Sequence, residues 1–482
     1  MMDSDRKDML WLGAILLVAL ALRLWGLNAP LWYDEILTVE THLRLPWAQM
    51  ISDYSMNHHY LHDLFAKASM QVLGEDPAAI RLPAMLMGLG SIAAVWVLAR
   101  ALGGSAVAHA TALLLALSYH HIWFSQNARG YTGLALFGTI GMILFLRGMR
   151  APDRATWAWF AVMLAASVFT HLTGAFLFAA LGLVWLGVVL HGVATGLLDR
   201  RILGLPLMGF ILGGLLSILL YLPIIPGILA SISEVSGTSA VDRMQEYQNP
   251  LWTLAEGLRT GFGSQGAMVT VAGLGVALLV LLGTASVWRR DRLFPLSVLA
   301  HVVLTVVLLT VVGMRIWPRF FFVDIGLVLI LIVLGVRLIC SVLERGKDPA
   351  VARIIFPLAV LLMAVVSVPL LLRNYAHPKQ DLAGAVALVE ATRKPGERVF
   401  AVGHASTAFT GHFHTDWTPL FTVEEFDAAM AAPGPVTFVV AFPGRAFRNI
   451  PALDADANPA LTEVKWFPGT LGDGGVVVLH RD

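Results

Sequence analysis

Apolar runs long enough to cross a bilayer recur about eleven times along this chain, and they constrain its fold more than any other feature. Inside lipid a segment must satisfy its own backbone amides, which takes a helix of about 20 mostly apolar residues. The runs lie near residues 10–27, 82–102, 106–125, 131–148, 156–172, 174–191, 203–222, 266–288, 293–313, 319–340 and 354–372. With 57% hydrophobic residues, 13% charged residues and a mean hydropathy of +0.74, the 482-residue chain is not a water-soluble globule. A formal net charge of +1 offers no basic excess for a phosphate backbone, so nucleic acid is not an expected partner and membrane lipids are. The single cysteine, Cys340, has no partner for an intramolecular disulfide and is read as apolar filler in a helix.

The fold class read from this pattern is an all-α polytopic membrane protein of about 11 transmembrane helices with a small C-terminal α/β domain outside the membrane. The first run follows Arg6 and Lys7 as a signal peptide would, but no small-residue cleavage site comes after it, so it is read as a retained helix. Cationic residues set the orientation. With the N-terminus in the cytoplasm, the inward connections carry Arg6, Lys7, Arg100, Arg147, Arg150, Arg154, Arg200 and Arg201, then Arg289, Arg290, Arg292, Arg345, Lys347 and Arg353. The short outward connections carry only Arg129, Arg315 and Arg319. An odd number of spans then leaves the C-terminus outside.

Two outward loops, roughly residues 28–81 and 223–265, exceed the length of mere connectors and are expected to build a site. The domain reading is therefore residues 1–374 as the transmembrane part with these loops, and 375–482 as the outer domain. Composition after Arg373 turns to soluble-protein levels of Pro, Gly, Asp and Glu, with a helical pattern at 381–393 and strand-like runs at 398–402, 436–440 and 476–479.

This topology sorts the polar residues by side. Asp34 and Glu35 follow the first span directly, and Asn57, His58, His59 and His62 lie in the same loop. His120, His121, His171, Arg129, Tyr131, Arg315 and Arg319 fall at the outer ends of other spans. Each has a plain structural alternative: a helix cap for Asp34, hydrogen-bonded structure for the histidines, snorkelling toward headgroups for the arginines. Carboxylates, imidazoles and guanidinium groups gathered on one membrane face nevertheless point to chemistry there. Gly88-Leu89-Gly90 and Gly273-Leu274-Gly275 sit inside spans, where small residues serve close helix packing rather than phosphate binding. Asp454-Ala455-Asp456 has the spacing of a nucleotide-sugar metal motif but lies in the outer domain, away from cytoplasmic nucleotides.

Leu24-Trp25-Gly26 through Leu31-Trp32-Tyr33-Asp34-Glu35 resembles the first-loop signature of membrane-embedded GT-C glycosyltransferases of family 39, the group of protein O-mannosyltransferases and the lipid A aminoarabinose transferase. Asn57-His58-His59-Tyr60-Leu61, Gly74 and Arg81-Leu82-Pro83 are similar to the later part of that loop. Phe124 through Tyr131 resembles the segment entering the fourth span, and Arg319 before Phe320-Phe321-Phe322 and Pro378-Lys379-Gln380-Asp381 also look similar. The resemblance implies a GT-C fold, a polyprenyl-phosphate sugar donor and an acceptor (lipid, glycan or protein) on the outer face of the cytoplasmic (inner) membrane. It also implies that Asp34 is the general base and that Glu35 assists binding or orientation. Where the aminoarabinose transferase type has an acidic-Lys-Pro-Pro sequence this chain has Asn57-His58-His59-Tyr60, and Arg129 and Tyr131 stand near where that type has an acidic residue. For cofactors two alternatives stay open: none, or a divalent metal taken by His58, His59 or His171.

The mechanism expected is a single displacement that inverts the sugar, with Asp34 as base and Arg129, Arg319 and Lys379 holding the departing phosphate. Asn57, His58, His59 and Tyr131 join Glu35 as substrate-binding candidates. The rival reading is a polytopic transporter or flippase of lipid-linked sugars. Transporters favour midplane charges and repeated halves, whereas the charges within these spans are Arg23 near an outer end and Asp324 about a turn inside another.

Overall fold

The computed structural model describes residues 2–55, 57–235, 249 and 267–482. Most of the 223–265 loop expected to build a site therefore lies outside the described residues. The chain forms two compact units, one of residues 1–25, 47–72 and 80–368, the other of residues 26–46, 73–79 and 369–482.

The first unit is helical. Among the described residues eight helices are long and apolar enough to cross a membrane, including α5 (Pro77–Gly103), α8 (Tyr131–Arg150), α10 (Gly174–Thr195) and α11 (Arg200–Tyr221). Helices α1 (Met2–Leu24) and α9 (Arg154–Thr170) account for two further apolar runs. The run at 106–125 is not one continuous helix. It divides into α6 (Ser105–Ala116) and α7 (Tyr119–Ser125), because Ser118 leaves the helical path and its hydroxyl accepts the His121 amide, starting a new helix. Leu215, Ile218 and Leu219 of α11 are more than half exposed, as a lipid-facing surface requires.

Small residues set the helix spacing where backbones approach. Trp157 of α9 is fully buried, and a Cβ on Gly148 of α8 or Gly209 of α11 would lie 2.8 Å from its ring. A Cβ on Gly283 would fall onto the Leu331 carbonyl, and one on Gly335 onto the Leu279 carbonyl, so the helices Ala267–Trp288 and Asp324–Leu343 meet through a reciprocal glycine contact. Gly88 packs as expected, against Ser125, but Gly275 meets nothing within 4 Å and serves no such contact.

Residues expected on the same side of the bilayer meet. Arg100 pairs with Asp8 at 3.0 Å and Arg150 pairs with Asp291, joining connections assigned to the inner side. Polar side chains buried in this unit hold helices to one another. Arg23, fully buried, donates to Ser125 Oγ at 3.1 Å and to the Ala19 and Ala116 carbonyls, and stands 2.7 Å from His121 Nδ1. His121 Nε2 is in turn 2.8 Å from Ser91 Oγ, which ties α1, α5 and α7 together. His301 Nδ1 lies 2.9 Å from an Asp324 oxygen, fixing the start of the helix Asp324–Leu343 to Leu293–Val311.

The second unit carries a five-stranded sheet of β1 (Arg398–Val402), β2 (Thr418–Leu420), β3 (Val436–Ala441), β4 (Thr462–Phe467) and β5 (Val476–Arg481), in the order β2-β1-β3-β5-β4. The pairs β1–β2 and β1–β3 are parallel; β3–β5 and β4–β5 are antiparallel. All six residues of β3 are buried, which is what a central strand covered on both faces demands. Packed with this domain in the same unit are α2 (Tyr33–Thr38) and the wide helical turn Val39–Leu43 that continues it.

Candidate functional site

In the first unit six of the sequence candidates form one polar cluster. The short run after Asn57 leads into α4 (Tyr60–Leu73), and its histidines close around a carboxylate that sequence reading did not single out. Asp63 receives His58 Nδ1 at 2.8 Å on one oxygen and His62 Nδ1 at 2.9 Å on the other, and its Oδ2 also accepts the His59 amide at 3.0 Å. The signal available was the spacing His59–Asp63, one helical turn, which puts the carboxylate back under the start of α4. Burial alone would raise the Asp63 pKa, but the hydrogen bonds and charge of His58 and His62 outweigh it and hold the group below the usual carboxylate range.

His59 is thereby turned toward the helix ends. Its ring centroid lies 5.1 Å from Tyr131 and 4.8 Å from His171. Gly130 permits this approach, since a Cβ there would sit 3.0 Å from His59 Nδ1 and 2.7 Å from Thr170. Desolvation, reinforced by the charge of Arg129, by His171 and His62, and by Arg319, drives the His59 pKa well below its ordinary value and keeps the ring neutral. Arg129 donates to both the Asn57 carbonyl, at 3.2 Å, and the Asn57 side-chain oxygen. Arg319 sits in the 3₁₀ turn Pro318–Phe321 with its guanidinium 4.9 Å from the Trp317 ring centre. Around them stand Tyr131, Phe124 and Phe322, with Tyr131 4.9 Å from Phe124 and His171 6.0 Å from Phe320. Two guanidinium groups beside neutral imidazoles and aromatic rings make a place suited to an anion attached to an apolar body.

The remaining candidates, Asp34, Glu35 and Lys379, belong to the second unit. Asp34 and Glu35 occupy the first turn of α2, and Glu35 is fully buried, accepting the Trp32 amide at 3.3 Å. The Tyr33 amide donates to Gln380 Oε1 at 3.3 Å, so Lys379 neighbours a residue that holds this helix. Lys379 is 9% exposed, and its carbonyl accepts the Leu471 amide at 3.2 Å.

Among the described residues no three His, Cys, Asp or Glu side chains stand together as metal ligands, and His58 and His62 both spend Nδ1 on Asp63.

The family described as dolichyl-phosphate-mannose-protein mannosyltransferase matches residues 57–223, the segment that includes Asn57, His59, Arg129 and Tyr131. No curated protein sequence matches the chain significantly. Among solved structures, ArnT from Cupriavidus metallidurans in the apo state is similar, with a TM-score of 0.52 and 14% identity over 99% of this chain and 98% of that one. The same protein bound to undecaprenyl phosphate gives 0.52 and 16% over 98% and 97%. The archaeal oligosaccharyltransferase AglB from Archaeoglobus fulgidus, in complex with an inhibitory peptide and a dolichol-phosphate, gives 0.54 and 11% over 97% and 74%. The fold is that of the GT-C superfamily, and with the matched segment it indicates a membrane glycosyltransferase similar to the protein mannosyltransferases and ArnT.

Proposed function

We propose that this GT-C glycosyltransferase moves a sugar from a polyprenyl-phosphate donor to an acceptor on the outer face of the cytoplasmic membrane, with inversion at the anomeric carbon. The observation that carries the reading is the cluster of Arg129, Arg319, His59, His171 and Tyr131 at one end of the first unit's helices. As the bond from sugar to phosphate breaks, negative charge grows on the phosphate, and fixed guanidinium donors stabilise that charge more in the transition state than before it. Neutral His59 and His171 add hydrogen-bonding capacity without repelling the two arginines. Tyr131 and Phe124 suit the apolar part of the donor or a sugar face. Asp34 takes the acceptor proton, Glu35 keeps the turn that carries it closed through the Trp32 amide, and Lys379 adds a cation. The undecaprenyl phosphate and dolichol-phosphate bound to the two structural neighbours support this donor class.

The test is transfer from a synthetic polyprenyl-phosphate sugar by purified protein in nanodiscs. Asp34→Asn should abolish transfer while leaving insertion and donor binding intact; wild-type turnover in that variant sinks the assignment of the base. Release of free polyprenyl phosphate must accompany each transfer, whereas a flippase would move the donor across the bilayer unchanged.

A further inference from the structure

In an open α/β sheet, ligands are taken outside the carboxyl ends of the strands, where the connections leave in opposite directions. Here that point lies between β1 and β3: the chain leaves β1 for β2 on one side and leaves β3 for β4, beyond β5, on the other. The segment seated there comes from the same chain. The Tyr33 ring stands edge-on to Phe442, centroids 5.6 Å apart at 86°, just past the end of β3. Its hydroxyl lies beside Thr407, in the connection leaving β1, and its amide is held by Gln380. Further along, Glu40 meets His412 of the same connection at 2.9 Å. Trp32, Ile36, Val39 and Leu43 are all buried.

Phe442 adopts φ 55° and ψ 58°, a left-handed conformation that bulky residues rarely take. Its ring meets both the Tyr33 ring and the Arg445 guanidinium, the latter 4.8 Å from the ring centre. Backbone strain of this kind persists where the surroundings over-determine it.

We propose that the C-terminal sheet is a mount for residues 32–44, and that Tyr33, seated between the ends of β1 and β3, is a positioning residue that fixes the bearing of Asp34. The catalytic part of this proposal rests on the reading of Asp34 as the base; the mounting itself does not.

Hydrogen exchange and steady-state kinetics on the full-length protein in nanodiscs test both parts. Phe442→Ala and Tyr33→Phe should each speed exchange of the amides of residues 33–43, by about tenfold or more in Phe442→Ala, while β3 and β5 stay protected. Both should lower kcat with the donor KM unchanged, on the order of 10²-fold in Phe442→Ala, as expected when a reacting group is misplaced by about 1 Å. If Phe442→Ala also unprotects the sheet, Tyr33→Phe and Gln380→Ala decide, because both residues lie outside the strands. Unchanged exchange of residues 33–43 in those two variants overturns the mount. Faster exchange with wild-type kcat overturns the positioning role. Faster exchange in the Tyr33 variant, together with full transfer by Asp34→Asn, rejects the base assignment and leaves the mount standing.

Discussion

Arg129 is the residue on which donor recognition turns, because one nitrogen of its guanidinium, Nη1, donates to both oxygens of Asn57 and so holds in place a planar group whose donor spacing matches phosphate. Arg129→Ala should raise the donor KM about 10- to 100-fold, the loss expected for one or more charge-assisted hydrogen bonds, and Arg129→Lys should recover part of it. Titration of donor binding by the two variants checks this, and equal affinity in all three proteins would remove Arg129 from the site. His59 gives a pH signature. Its folded pKa lies far below the unfolded value of 6.5, so below about pH 6.5 the unfolded chain binds a proton that the folded one refuses. Stability therefore falls as pH drops through that range, by up to about 1.4 kcal/mol per pH unit for this one ring. Asp63 is depressed instead, so its contribution is present above its unfolded value of 3.8 and is lost only below that. Thermal unfolding between pH 7 and 5 should show the His59 slope, flattened in His59→Gln, with Asp63 silent. Asp63→Asn removes the carboxylate shared by two imidazoles and should cost about 3–5 kcal/mol of stability at pH 7, measured by chemical denaturation.

Between helices, the reciprocal contact of Gly283 and Gly335 makes a sharp prediction. Alanine at either position must push a backbone carbonyl of the facing helix away, so each variant should lose about 1–3 kcal/mol and the double variant less than the sum, because one separation relieves both clashes. Thermal melts in detergent check it. Helix existence was legible from sequence because lipid leaves a spanning segment no alternative to about 20 apolar residues in a helix. Helix continuity was not. Polar Ser118-Tyr119-His120-His121 follows Leu117 without a Gly or Pro to mark a break, and the break at Ser118 depends on a hydroxyl finding the His121 amide. The charge bias put Arg129, Tyr131 and Arg319 at span ends and Asn57 and His59 in the long first loop, all on one expected face, and these five residues belong to one cluster in the first unit. The carboxylate that organises the histidines, Asp63, hid in an ordinary amphipathic helix.

Across the molecule, the division into units departs from the chain order. Residues 26–46 and 73–79 pack with 369–482, although more than 300 residues separate Tyr33 from Gln380. No local pattern encodes such a meeting, which is why the sequence reading kept the 28–81 loop with the transmembrane part and 375–482 as a separate outer domain. Removing residues 375–482 should therefore do more than delete an accessory: the truncated protein should still enter membranes, since all eight long apolar helices begin before residue 375, yet show no transfer. Fluorescence-detected size exclusion and the nanodisc assay separate the two outcomes.

The buried guanidinium of Arg23 has a consequence for biosynthesis. Helix α1 leaves the translocon before α7, and the side chains that receive Arg23, those of His121 and Ser125, are made about a hundred residues later. Until then a cation held in the apolar layer is costly, up to about 2.5–3.5 kcal/mol at its centre, and from its place in the last turn of α1 Arg23 must reach up to the headgroups while the ribosome continues. The first helix can take its final depth only when the seventh arrives, and the order of synthesis is thereby written into the order of assembly.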